Sequence, residues 1–164
     1  MIPKWEGVYP AVTTKFTADD KLDFDAIGTN FQAQIDAGVH GLILGGSLGE
    51  ASTLDDDEKF ELLAFTLDLV KEKIPVVLNI TEGSTRRAIS YVKKAEQMGA
   101  DGFMALPPMR YKSDDRETVI SLSPTNYFLF LSLTVKPLKA LPKLSISAPN
   151  SVLNLLHCSL LSAL

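Results

Sequence analysis

Acidic residues are missing from the last 47 positions of this 164-residue chain, the final one of its 20 being Glu117. Cysteine is nearly absent too: Cys158 stands alone, which excludes an internal disulfide framework. Histidine occurs twice, as His40 and His157, and neither has carboxylates or thiols at ligand spacing, so no metal site is expected and both read as structural. Long apolar runs are lacking as well. Tyr127 to Val135 is the longest candidate, Pro137 soon follows it, and a bilayer span needs about 20 residues. The start Met1–Glu6 has no apolar core of a signal peptide, and with the lone cysteine this sets a reducing cytoplasm as the expected compartment. A basic face is also missing: the net charge is -4 and no Lys/Arg cluster is interleaved with aromatics, so nucleic acid is set aside as a partner.

The acidic gap divides the chain. Up to Glu117, 13 Lys and Arg stand against 20 acids, whereas beyond it three lysines stand against none. The second regime is crowded with Leu and Ser, and Pro124, Pro137, Pro142 and Pro149 arrive before a helix could complete several turns. Two regions are therefore expected, 1–119 and 120–164. A reading-frame change in the gene accounts for a switch this abrupt; a divergent tail is the alternative. The charge-free window Tyr127–Val135 is rich in β-formers and is an aggregation hazard if unprotected.

Within the first region apolar strands alternate with amphipathic helices. Gly7–Phe16 reads as a half-buried strand, with Pro10 arguing for a strand end or an irregularity. Phe24, Ile27, Phe31 and Ile35 form one helical face, ended by Gly38. A strand is expected at Gly41–Gly45 and a helix at Asp55–Lys73, with Phe60, Leu63, Leu67 and Val70 on one stripe and Thr53 preceding the acidic first turn. Glu58, Glu61, Asp68 and Lys71 read as its solvated face, with Asp68 and Lys71 as a weak pair. Ile74–Ile80 is a near-continuous apolar run, as a parallel strand covered on both faces requires. Ser84 caps a further helix packed through Ala88, Ile89, Val92 and Ala95, Gly99 stops it, and Asp101–Leu106 gives a fourth strand. Strand starts near 8, 41, 74 and 102 repeat at about the length of a βαβ unit. That period fits a doubly wound sheet or a (β/α)8 barrel. No G-x-G-x-x-G with a following acid is present, which removes the dinucleotide-binding version.

The chemistry-bearing stretch is Gly41–Ser52, a short strand running into Gly45-Gly46-Ser47-Leu48-Gly49. Three glycines in five positions permit positive φ and close approach, with N–H donors and the Ser47 hydroxyl offered to an anion such as a carboxylate. A tight βα turn that binds nothing is the competing reading.

Pro10-Ala11-Val12-Thr13-Thr14, Gly38-Val39-His40-Gly41-Leu42, Gly46-Ser47-Leu48-Gly49-Glu50, and Gly99-Ala100-Asp101-Gly102 followed by Pro107-Pro108 resemble the dihydrodipicolinate synthase and N-acetylneuraminate lyase family over about residues 5–119. The resemblance implies an α/β fold that is part of a TIM (β/α)8 barrel, about its first four βα units, followed by a non-matching tail. It implies a class I lyase or aldolase acting on a pyruvate-like 2-oxo acid through a lysine Schiff base, without metal or organic cofactor, in homo-oligomers. Carried over by position, Gly46, Ser47 and Leu48 bind the substrate carboxylate. Leu48 departs from the family's threonine, which removes a hydroxyl relay there, and Glu50 bonds loop N–H groups. Tyr111 falls near the tyrosine that reaches into a neighbouring subunit's site, a place that Met109 or Arg110 could also take. The family's Y-N-x-P tyrosine and strand-borne lysine have no counterpart: Lys136, Lys139 and Lys143 are the only lysines of the tail, in a segment without a strand pattern. The expectation is a lyase-family chain inactive by itself. Its alternatives are a non-catalytic half-barrel binding a small carboxylate or a partner subunit, and a defective gene product.

Overall fold

The computed structural model of the chain describes residues 5–105. Its elements are α1 (Phe24–Asp36), β1 (Leu42–Leu44), α2 (Asp56–Val70), β2 (Val76–Ile80), α3 (Thr85–Met98) and β3 (Gly102–Ala105), with a single 3-10 turn at Ser47–Gly49. The strands form one parallel sheet in the order β1-β2-β3. Each parallel step is joined by a helix, which is the alternation expected of βα units.

The first expected strand, Gly7–Phe16, is reduced to one parallel bridge, Ala11 with Ile43. Val12 N–H donates to Ile43 O at 3.0 Å and Ile43 N–H to the Pro10 carbonyl at 2.9 Å, so the segment does lie along β1. Pro10 has no N–H to give, and the ladder cannot extend through it. Among the described residues there are thus three strands rather than four.

The two faces of the sheet differ. Leu42, Leu44, Val76, Leu78, Ile80 and Phe103 join Ile27, Phe31, Phe60, Leu63 and Val92 of the helices in the main core. Burying each such side chain stabilises the fold by about 1.5–3 kcal/mol. The opposite face carries a smaller cluster, Ile43, Val77 and Met104, with Trp5 and Tyr9 packed against it. All five residues of β2 are buried, which is why its sequence shows no alternation.

Helix boundaries follow local chemistry. The Asp23 side chain caps α1 by accepting from Ala26 N–H at 3.0 Å, and Gly38 follows the helix with φ +84°. For α2 the cap is Asp55 rather than the Thr53 signal read from sequence. Asp55 and Glu58 form a capping box in which Asp55 N–H donates to Glu58 Oε2 at 2.9 Å. Glu58 is therefore a structural group, not merely part of a solvated face. The helix stops at Val70, short of Lys73, because Lys71 and Glu72 both take left-handed backbone angles. That turn removes Lys71 from the helical register, and the ion pairs of the described residues do not include Asp68 with Lys71. The buried stripe of α2 is wider than expected, since Leu62 and Thr66 join Phe60, Leu63 and Val70. Ser84 caps α3 and Gly99, at φ +106°, ends it. In α3 the buried residues are Tyr91, Val92 and Ala95; Ile89 is only half-buried.

Candidate functional site

At the end of β1 the backbone must leave the sheet within a few residues. Gly45 does this with φ +60° and open space where a Cβ would stand, so conformation alone accounts for glycine there. Gly49 is required for a different reason: a Cβ at this position would stand 2.8 Å from the Val12 carbonyl oxygen. Gly46 has φ -71° and room for a methyl group beside Met104 and Ala11. Only one of the three glycines thus uses a positive φ, and the left-handed residue that closes the turn is Glu50.

The turn is held from below. Thr14 Oγ1 donates to the Gly49 carbonyl at 2.8 Å, a buried bond that ties the Pro10–Thr14 segment to the loop. Gly49 N–H and Ala51 N–H both donate to Gly46 O, at 2.9 and 3.2 Å. Glu50 has the structural role expected of it, though through different partners. Its carboxylate accepts from the Thr53 hydroxyl at 2.9 Å and its carbonyl accepts from the N–H groups of Thr53 and Leu54.

Ser47 and Leu48 sit on top of this anchored turn, both exposed, Leu48 to 73 %. The Ser47 hydroxyl makes no hydrogen bond among the described residues. Leading a helical turn, the two N–H groups have no partner within it, since such bonds begin only after the first residues. A hydroxyl and two amide donors on a rigid turn are suited to a small anion such as a carboxylate. The structure thus brings Gly46, Ser47 and Leu48 together. Tyr111, Met109 and Arg110, the three tail lysines, and His157 with Cys158 lie outside the described residues. His40 is structural: its Nδ1 accepts from Val8 N–H at 3.1 Å while its own N–H donates to Val8 O at 2.8 Å.

Two nearby polar groups went unread in the sequence. Thr14 is one, legible only as part of the Pro10–Thr14 motif. Asn79 is the other, a polar residue inside the apolar run of β2 and only 4 % exposed. Its Nδ2 donates to Thr81 Oγ1 at 2.6 Å, while its Oδ1 is buried without a partner among the described residues. Register pairs Asn79 with Met104.

The loop after β2 is fixed to α2 by charge. Arg87 bonds Asp56 at 2.9 Å and Glu82 at 3.1 Å, and Lys94 Nζ lies 3.9 Å above the Phe60 ring. Beneath them Tyr91 stacks on Phe60 with ring centroids 4.6 Å apart and its hydroxyl buried without a partner among the described residues. Burial first, and then the charges of Asp56 and Glu82, hold this phenol well above its ordinary range. Among the described residues no three His, Cys, Asp or Glu side chains converge as a metal site, and no helix is long and apolar enough to cross a membrane.

The model of the dihydrodipicolinate synthetase family matches residues 4–120. A 4-hydroxy-tetrahydrodipicolinate synthase of Thermotoga neapolitana is 39 % identical over 104 residues, covering 63 % of this chain and 35 % of the relative. An uncharacterised DapA-like lyase of Halobacterium salinarum is 34 % identical over 113 residues, covering 69 % and 37 %. Among solved structures, YagE, a prophage protein of the dihydrodipicolinic acid synthase family from E. coli K12 in complex with pyruvate, superposes with a TM-score of 0.69 at 32 % identity. That match covers 73 % of this chain and 40 % of YagE. The chain therefore spans roughly two-fifths of the length of these relatives.

Proposed function

Since the chain belongs to the dihydrodipicolinate synthetase family, we propose that it carries the carboxylate-binding part of a class I lyase or aldolase site for a pyruvate-like 2-oxo acid. The observation behind this reading is the turn Gly46-Ser47-Leu48, exposed at the end of β1 and anchored through Thr14 to Gly49. Ser47 Oγ and the N–H groups of Ser47 and Leu48 hold the carboxylate. Leu48 contributes only its backbone, so no proton passes through its side chain. The pyruvate complex of YagE, a relative with the same fold, supports the choice of ligand.

In this reading the covalent step needs a lysine whose amine adds to the 2-oxo carbon and expels water to give an imine. That lysine belongs to the length of the relatives that this chain does not match. Residues 1–119 then form the first part of a (β/α)8 barrel, with Tyr111 at its subunit interface. Residues 120–164 are a segment of different origin, a view supported by the family match ending at residue 120, beside the last acid at Glu117. Chemistry of this kind uses neither metal nor organic cofactor and fits a cytoplasmic protein. By itself the chain binds the 2-oxo acid without turning it over.

Titration of the full chain with pyruvate, followed by borohydride reduction, tests the proposal. Saturable binding with no lysine adduct by mass spectrometry is expected, and Ser47→Ala weakens that binding by about tenfold, the value of one hydrogen bond to a charged group. Absence of pyruvate binding both by the chain alone and with the rest of a relative's barrel supplied in trans overturns the carboxylate site. A reduced lysine adduct overturns the assignment of an inactive chain. The same titration favours the second reading, a half-barrel that needs a partner, if saturable binding appears only when the rest of a relative's barrel is supplied in trans. That reading draws on the two-fifths coverage.

A further inference from the structure

Asparagine in the middle of Val76-Val77-Leu78-Asn79-Ile80 is out of place by composition. Burying an amide costs free energy unless both of its ends are bonded, and native structures leave few such groups unmet. Here one end is met. Nδ2 donates to Thr81 Oγ1 at 2.6 Å, which fixes the plane of the amide, and Oδ1 is left as a buried acceptor with no partner among the described residues.

Strand geometry places that acceptor. Side chains alternate along β2, so Asn79 shares the face of Val77, the face of the small cluster Ile43, Val77 and Met104, and not the face packed by the helices. Asn79 pairs in register with Met104, whose Cε lies 3.6 Å from the position a Gly46 Cβ would occupy. On the other side, the last pair of β1 and β2 is Leu44 with Leu78, one residue before Gly45 and one before Asn79. Asn79 and the root of the Gly45–Ser47 turn thus share Met104 as a neighbour.

We propose that Asn79 is a specificity-determining residue of this site, its Oδ1 accepting a hydrogen bond from a hydroxyl group of the ligand, so that the 2-oxo acid bound best carries a hydroxyl near its oxo carbon. This inference rests on the reading of the Ser47 turn as a carboxylate site. Ser47 fixes the carboxylate, and Asn79 reads the remainder of a molecule a few atoms long. A neutral acceptor suits a hydroxyl donor, and an analogue lacking that hydroxyl leaves the acceptor as unmet as it is in the free protein.

The test is calorimetric titration of the full chain with pyruvate and with 3-hydroxypyruvate, which differ by one hydroxyl. The wild-type chain is expected to bind 3-hydroxypyruvate about tenfold more tightly, and Asn79→Leu, which keeps the branching at Cγ and removes the acceptor, to bring the ratio to about one. Asn79→Ala gives the same ratio and serves if the leucine variant does not fold. Equal affinity of the wild-type chain for both acids overturns the role of Asn79 and leaves the carboxylate site standing. Binding of neither acid overturns both. A preference that persists in Asn79→Leu or Asn79→Ala assigns the hydroxyl to another group and overturns the proposal.

Discussion

A methyl group on Gly49 would press against the Val12 carbonyl, and neither side of that contact is a flexible side-chain end that could yield. Gly49→Ala is accordingly expected to destabilise the chain by about 2 kcal/mol or more, read as a lowered denaturation midpoint. Gly46→Ala, with ordinary contacts at 3.6 and 3.7 Å, should stay within about 0.5 kcal/mol of the parent in the same measurement. The sequence showed that the loop is glycine-rich but could not rank its glycines, because the clash at 49 comes from a carbonyl 37 positions away. Asn79 was overlooked for a related reason: the periodicity of an apolar run says nothing about which face its one amide takes. Tyr91 gives a residue-scale prediction with a sign. Its phenol ionises near pH 10.0 when unfolded and only at higher pH when folded, so the folded chain loses stability as pH rises past that value. Tyr91→Phe keeps the stack on Phe60 and deletes the unmet hydroxyl. Its alkaline unfolding should begin at higher pH, with stability at pH 7 unchanged or slightly raised.

Elements were legible where local chemistry decides them. The glycines after α1 and α3 end those helices with positive φ, as read, and Ser84 caps α3. One boundary was misplaced. The α2 start fell within a residue of the expected Asp55, although the cap is Asp55 itself, since Thr53 spends its hydroxyl on Glu50. The α2 end came early because two non-glycine residues in succession accept left-handed angles, which no local rule favours. The capping box carries its own test: Glu58→Ala leaves Asp55 N–H without its carboxylate and should cost about 1 kcal/mol by chemical denaturation. The first strand shows how a proline limits an element without displacing it. The segment keeps its place along β1 but pairs at only one bridge.

At the scale of the whole molecule, a parallel sheet needs cover on both faces. The helices supply one cover in full. Among the described residues the other face carries the small cluster around Ile43, Val77 and Met104, with Trp5 and Tyr9 against it, and no strand pairs with the outer edge of β3. An unpaired edge is a template for association. The purified chain is expected to self-associate in light scattering, and a monodisperse monomer with a cooperative thermal transition would contradict this. The alternation of strands and helices was readable from periodicity over residues 24–105. The choice between open sheet and barrel was not, because closure depends on strands far apart in the chain, and it came from the family resemblance.

Trp5 is the sole tryptophan of the chain and packs with Tyr9 against that thinly covered face, close to Gly102. An indole emits further to the red once water reaches it, so a single fluorophore monitors one layer of the sheet while circular dichroism monitors the helices. Heating should redden the emission before ellipticity is lost; coincident curves would mean that both layers melt as one.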